Sequence, residues 1–318
     1  MGQERLIGGV DYPRTYQEFQ QWFPNDAACV DYLGQLRWPD GFVCPKCGCD
    51  RSWRTAKRQW VCAQCAQRTS AMAGTIFHRS HTPISTWFAA AWFVTSQKNG
   101  VSAAGLQQAL GFGSYETAWA WLHKLRRAMV RPERELLSGV VELDGIFLGG
   151  RSAGKPGGAS DKVAVMVAVE RLETGRLGRV RFGVAERPHS GELVDFARAT
   201  IAPGSTIHTD GASTLRRLGK LGYTHSYVTT NNFLTQASNP DLDEVLPGVH
   251  LVSSLLKRWL AGTLQYAVSH ELLAYYLDEY AFRFNRRNSR ARGMLFYRLL
   301  QQAVTTDPHP LAELYSSR

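Results

Sequence analysis

Val140-Val141-Glu142-Leu143-Asp144-Gly145-Ile146-Phe147-Leu148 and Ser205-Thr206-Ile207-His208-Thr209-Asp210-Gly211 are the two stretches on which the fold turns. Both are rich in β-branched and large apolar residues, so both read as strands. Each carries one aspartate, inside the first strand and at the tip of the second. Between them, 162–169 and 179–185 read as two further strands, and 190–199 has helical spacing. A helix follows Asp210-Gly211, and a last short strand lies near Tyr227.

Three antiparallel strands, helix, strand, helix, strand is the order of an RNase H-like domain, an α/β fold with a mixed five-stranded sheet and flanking helices. In that order Asp144 and Asp210 meet at the sheet centre. A pair of carboxylates there is costly unless cations neutralise it, and a two-metal site does so while activating one oxygen and stabilising another. The other reading is a strand-end hydrogen bond for Asp144 and a helix cap for Asp210. A third ligand is expected from the helix that begins near His250. His250 and Lys257 are two turns apart and share a stripe with Ser254, and Lys257 and Arg258 suit phosphate oxygens. Asp243 and Glu244 are the alternative carboxylates, in an irregular stretch containing Pro240 and Pro247.

Working outward towards the N-terminus, Cys44-Pro45-Lys46-Cys47-Gly48 and Cys62-Ala63-Gln64-Cys65 have structural-zinc spacing. Four thiolates close a tetrahedral Zn2+ site, which holds structure and leaves no position for substrate. Cys49 is a competing ligand out of register with the second pair, and Cys29 reads as a core thiol. Arg51, Arg54, Lys57 and Arg58 interleave with Trp53 and Trp60, a composition suited to phosphate contact, or equally to a solvated face.

Thr82-Pro83 reads as the start of a helix with Trp87, Ala90, Ala91 and Val94 inward. A second helix runs from Ser102 to Leu110, Gly111-Phe112-Gly113 breaks it, and Tyr115–Met129 resumes with Ala118, Trp121, Leu122 and Leu125 inward. This is helix-turn-helix spacing, whose second helix ends in Lys124, Arg126, Arg127 and Arg131 and is expected to meet a DNA groove. Any αα-hairpin has the same outline. Near the other end, a helix over 269–283 leads into Arg283, Arg286, Arg287, Arg290, Arg292 and Arg298. Interleaved Phe282, Phe284 and Phe296 favour a docked DNA-binding surface over a free basic tail. The glycine-rich connection 149–158, with Arg151 and Lys155, is expected to face DNA.

The chain has 318 residues and a formal net charge of +10, which suits a polyanionic partner. Trp87–Val94 is the strongest apolar run and is far shorter than the ~20 residues needed to cross a bilayer. Met1-Gly2-Gln3-Glu4-Arg5 lacks an apolar signal core, so a cytoplasmic protein is expected, with cysteines reduced. The expected domains are 1–78 (helix and zinc ribbon), 79–135 (helix-turn-helix-like), 136–305 (catalytic) and 306–318 (tail).

These residues resemble a bacterial insertion-sequence transposase of the DDE class, in the Merlin-related group with an N-terminal zinc ribbon. The markers span nearly the whole chain. They are Arg37-Trp38-Pro39-Asp40-Gly41 before the first cysteine pair, Gly74-Thr75-Ile76-Phe77, Val141-Glu142-Leu143-Asp144 with Gly149-Gly150, and Thr209-Asp210-Gly211. Leu256-Lys257-Arg258-Trp259 with Gly262-Thr263, and Tyr276-Leu277-Asp278-Glu279 with Phe282-Arg283-Phe284-Asn285-Arg286-Arg287, complete them. The resemblance implies Mg2+ or Mn2+ dependence, binding of terminal inverted repeats in double-stranded DNA, homo-oligomers on DNA, and cleavage and strand transfer by direct transesterification. Asp144 and Asp210 match its first two acids. The chain departs from it at Gly145, where many relatives have Glu, and at His250, where they have Glu or Asn. Asp144, Asp210 and His250 form the expected catalytic set, similar to that of certain Argonautes and repair nucleases. The rival expectations are an inactive zinc-ribbon DNA-binding regulator and a nuclease without strand transfer.

Overall fold

The computed structural model describes residues 6–131, 134–148, 162–185, 191–210, 212–227, 246–265, 268, 271–289 and 291–309. The 149–158 connection, Gly211, Asp243, Glu244 and Arg290 therefore lie outside the described residues. The chain forms two compact units, Met1–Arg131 with Asn288–Arg318, and Pro132–Arg287.

In the first unit, α1 (Tyr16–Trp22) and α2 (Asp26–Arg37) precede a three-stranded antiparallel ribbon, β1 (Ser52–Arg54), β2 (Trp60–Cys62) and β3 (Arg68–Thr69). Helices α3 (Ile84–Ser96), α4 (Ala103–Leu110) and α5 (Tyr115–Arg127) follow. Side chains supply most N-caps: Thr15 accepts from Glu18 N–H, Asn25 from Ala28 N–H, Ser102 from Gly105 N–H and Ser114 from Glu116 N–H. Helix α3 differs from the sequence expectation. Pro83 rather than Thr82 holds the cap position and has no side-chain acceptor; Asp26 at the start of α2 accepts from Ser85 N–H at 2.9 Å instead. Gly111 closes α4 in the left-handed conformation (φ 67), the break its sequence announces.

The last helix packs in this unit. Fully buried Phe296, in the helix Arg292–Ala303, lies within 5.5–5.8 Å of the rings of Phe19, Phe23, Phe88 and Trp92. A Cβ at Gly293 would stand 1.6 Å from the Pro13 carbonyl oxygen, so only glycine permits this approach. The apolar stripe of the helix fits a core built by residues more than 200 positions earlier. The expected division at 78/79 falls inside one unit.

The second unit is the RNase H-like sheet. β4 (Val140–Leu148), β5 (Val163–Arg171) and β6 (Leu177–Ala185) form an antiparallel meander; α6 (Gly191–Thr200) leads to β7 (Thr206–Thr209), and a 3-10 helix (Ser213–Leu221) leads to β8 (Thr224–Tyr227). The strand order is β6-β5-β4-β7-β8, with β7 parallel to β4 and to β8. β5 is buried from Ala164 to Glu170 because both faces are covered. Helix α6 packs on one face, where Val141, Leu143, Ala164, Met166, Ile207, Leu193 and Ala197 share a core. Helix α7 (Pro247–Leu264) crosses β4 and β5 on the other, and α8 (Leu273–Phe284) packs on β6. The edge strand β6 is closed off by Asn285, whose side chain accepts from Val180 N–H at 2.7 Å and donates to Val180 C=O at 3.1 Å.

Candidate metal centres and nucleic-acid surface

The cysteine quartet converges. Among the described residues, Cys44, Cys47, Cys62 and Cys65 are the one group of three or more metal-ligating side chains close enough to hold an ion, all sulfurs lying within 4.8 Å of one another. Cys44 and Cys65 Sγ are 3.6 Å apart, and Cys47 and Cys62 Sγ 3.5 Å. A tetrahedral site with Zn–S near 2.3 Å demands about 3.8 Å, so the residues fit the ion. Each pair sits on a knuckle whose backbone amides point at sulfur. The Cys62 thiol is pulled down to about 6, first by the Cys65 N–H and further by the Gln64 N–H, against the opposing effect of burial. Cys49 stands outside the quartet with its thiol directed at the Arg51 carbonyl, and Cys29 is a core thiol that burial pushes up to about 12. Trp38, Phe42 and Trp60 pack over the knuckles, and Arg37 donates to the carbonyls of Ser70, Ala71 and Ala73. The Arg37-Trp38 pair is thus a structural fastening of the ribbon.

The register between β4 and β7 decides the position of the two aspartates. Val140, Val141 and Glu142 pair with Thr206, Ile207 and His208. Two residues further along each strand come Asp144 and Asp210, at one level on neighbouring chains whose usual spacing is about 4.8 Å. Val141, Leu143 and Ile207 face the α6 core, so alternation turns Glu142, Asp144, His208 and Asp210 towards the α7 side. Both aspartates are half-buried. Asp144 accepts from Gly145 N–H at 2.7 Å, and Asp210 accepts from Ala212 N–H at 3.1 Å, which shapes the turn into the 3-10 helix. The capping contact weighed for Asp210 is therefore present, alongside its juxtaposition with Asp144.

His250 lies in the first turn of α7, half-buried. The inward face of α7 is Val249, Val252, Ser253, Leu256, Trp259 and Leu260, and the helical angle puts His250 and Lys257 together on one flank of it. His250 does not complete a three-ligand cluster with Asp144 and Asp210. Glu142, quoted in the sequence only as part of a motif, holds this helix: 4% exposed, it accepts from Val249 N–H at 2.8 Å across 107 residues, with Arg171 3.4 Å from its other oxygen. A residue two places before the aspartate gave no signal of this contact.

The cations sort by exposure, and several leave the surface. Arg126, expected at a groove, is 2% exposed, as α5 is buried almost throughout from Ala118 to Arg126; its guanidinium lies 3.5 Å from His123 Nε2. Lys124 is half-buried, and Arg127 and the first turn, Tyr115–Thr117, are exposed. The arginines at the end of α8 and just beyond it are fastenings: Arg283 pairs with buried Glu279 at 3.0 Å, Arg286 stacks on Phe282, and Arg287 stacks on Phe284 and donates to the carbonyls of Leu177 and Gly178. Through the carbonyls of β6, Arg287 docks the helix end to the sheet. Lys257 and Arg258 on α7 are exposed. In the ribbon, Arg54 and Arg58 both pair with Asp31 and Arg54 lies over Trp60, whereas Arg51, Trp53, Lys57 and Arg68 are exposed. Trp53 and Arg68 flank Val61 on one sheet face through the β1–β2–β3 register.

No helix among the described residues is long and apolar enough to cross a membrane. Two family models match the chain. One described as an ISXO2-like transposase domain covers residues 136–285, and one described as a transposase zinc-ribbon domain covers residues 24–68. The chain is also 25% identical over 302 residues, 85% of its own length and 94% of the other's, to an uncharacterized protein in transposable element ISH50 of Halobacterium salinarum. The first match lies wholly within the unit that carries Asp144 and Asp210, and the second encloses the four converging cysteines. The chain thus carries a region similar to a transposase zinc ribbon and, after it, a region similar to an ISXO2-like transposase domain.

Proposed function

We propose that the protein binds the ends of its own insertion sequence and cuts and joins DNA there by phosphodiester chemistry, with Asp144 and Asp210 as the acids that hold divalent ions. The observation that carries this reading is the juxtaposition of the two aspartates on β4 and β7. Half-buried like charges at one level repel unless a cation lies between them, and hard carboxylate oxygens suit Mg2+ or Mn2+. When bound there, such ions supply Lewis acidity to the attacking and leaving oxygens of an in-line displacement. The chain's own residues do the rest. Lys257 and Arg258 on the solvent side of α7 neutralise phosphate oxygens, and His250 on the flank of the same helix offers an imidazole to bind or to move a proton at the leaving oxygen.

DNA contact through the ribbon uses the exposed set Arg51, Trp53, Lys57 and Arg68, because Asp31 occupies Arg54 and Arg58. Along α5 it uses the exposed first turn, which suits a helix that enters a groove by its N-terminal end, while Arg127 at the opposite end meets phosphate. Zn2+ on the four thiolates keeps the ribbon folded.

The test is incubation with duplexes carrying the DNA that flanks its own gene, with and without Mn2+ or Mg2+, followed by mapping of ends. Metal-dependent cuts at the element boundary, and joined products when pre-cleaved 3′-hydroxyl ends are supplied, are expected. Binding without cleavage under every metal condition would leave a zinc-ribbon regulator, and cleavage without joining a nuclease.

A further inference from the structure

Two short runs meet on the α7 face of the sheet, and they are built alike. In Glu142-Leu143-Asp144 and Gly248-Val249-His250, the first residue stands two places before a proposed site residue. Those first residues touch: a Cβ added at Gly248 would stand 2.8 Å from Glu142 Oε2. The same oxygen accepts from Val249 N–H at 2.8 Å. Val249 is the third residue of α7, so its amide has no acceptor within the helix and a carboxylate there also meets the positive end of the helix dipole. Among the described residues no side chain of α7 itself caps this end; its cap position is Leu246. Arg171, reaching Glu142 Oε1 at 3.4 Å, prevents the buried carboxylate from turning away.

We infer that Glu142 is a positioning residue of the acid site: it fixes the height of the first turn of α7 on β4, and so places His250 relative to Asp144 and Asp210. The inference rests on the catalytic reading above. Glycine at 248 is part of the device, because a Cβ there would meet Glu142 Oε2 at 2.8 Å and Leu177 Cδ2 at 3.0 Å, so that either the carboxylate or the helix start must give way. Glu142 touches no reacting atom; it acts through the helix.

The experiment compares wild type, Glu142→Ala, Glu142→Gln and Gly248→Ala, full chain, by two readouts. The first is hydrogen exchange of the peptide spanning 246–256 without metal or DNA. Loss of a bond to a charged acceptor speeds exchange at the Val249 amide at least about tenfold in Glu142→Ala, while Glu142→Gln, which keeps an acceptor oxygen, stays close to wild type. The second is Mn2+-dependent cleavage of the flanking-DNA duplex. Misplacement of the first turn lowers kcat about 100-fold in Glu142→Ala with KM unchanged, Gly248→Ala falls in the same direction, and Glu142→Gln recovers most of the loss. Gly248→Ala keeps both charges and improves helix propensity, so it decides the matter should Glu142→Ala fail to fold. Wild-type kcat in Gly248→Ala, or unchanged exchange in a folded Glu142→Ala, overturns the inference. A wild type that never cuts overturns the catalytic reading itself, and exchange then reports separately whether Glu142 holds the helix.

Discussion

The two candidate metal centres are built on opposite plans. The four cysteines lie between positions 44 and 65, on two knuckles that each fold from adjacent residues, and their sulfurs converge without help from distant chain. The two aspartates are 66 positions apart in the sequence. They become neighbours only because β7 returns parallel to β4 in one register, and the helix bearing His250 is held beside them by Glu142. A structural site is thus completed locally and saturated, whereas a site for chemistry is left short of ligands and positioned by scaffold.

The strongest way to break that contrast is to remove the ribbon ion. Structural zinc in small ribbons contributes on the order of 10 kcal/mol of folding free energy. Chelation, or Cys62→Ser, is expected to abolish one equivalent of bound zinc and to erase exchange protection across residues 42–69. Protection of β4 and β5 stays, since those strands draw on their own core. A ribbon that keeps its protection without metal would mean that Trp38, Phe42 and Trp60 suffice to fold it. The acid pair should respond in the reverse sense. Asp210→Asn is expected to lower metal-dependent cleavage at least about 1000-fold, roughly 4 kcal/mol of barrier, with DNA affinity unchanged. Its melting temperature should hold or rise, because the substitution relieves repulsion from Asp144. A cleaving Asp210→Asn protein would end the catalytic assignment.

Much of this was legible because it was local. The alternation of β4 gives its bounds to the residue, and β5, β6 and β7 are legible to within two residues of their ends, while for β8 only its place near Tyr227 is legible. The cysteine spacing named its own partners. Adjacency of Asp144 and Asp210 followed from strand order, since order in this topology sets which strands pair. What stayed hidden depends on which surfaces meet. Arg126 sits at the basic end of a helix, and only packing tells that it points inward. Arg287 reads as a free cation until the carbonyls of β6 are seen beside it. The stripe of the last helix is equally apolar against either unit, so its true core could not be read from periodicity. Glu142 is a polar residue in a strand, a pattern that ordinarily marks a solvent face, and its amide partner lies 107 residues away.

Asp278 offers a smaller test of whether acids off the β4–β7 face matter only to stability. Burial pushes its carboxyl up to about 6, partly opposed by Arg134. A raised folded pKa means that its contribution to stability is fully present below its unfolded value near 3.8 and is lost as pH rises through about 6. Asp278→Asn should therefore stabilise the protein by ~2 kcal/mol at pH 7.5, and the gain should vanish below pH 4, as read from denaturant midpoints across pH. Cleavage should not change. A loss of cleavage in this variant would break the contrast, because it would draw α8 into the chemistry.

The smallest expected effect lies in the ribbon, where one acid restrains two cations. Residues 42–69 carry Lys46, Arg51, Arg54, Lys57, Arg58 and Arg68 against Asp50 alone. From α2, Asp31 pairs with Arg54 at 2.7 Å and also with Arg58, all three side chains being partly exposed. Exposed pairs of this kind contribute about 0–1 kcal/mol, so Asp31→Asn should shift stability by no more than that. Its effect on DNA should be clearer. Two guanidiniums released from a carboxylate become available to phosphates, and each phosphate neutralised adds about 0.9 to the magnitude of the slope of log K against log salt. The slope for duplex binding is therefore expected to steepen by about 1–2 in Asp31→Asn, with tighter binding at low salt. An unchanged slope would mean that Arg54, held over Trp60, and Arg58 belong to the ribbon's architecture even when freed, and that contact runs through Arg51, Lys57 and Arg68 alone.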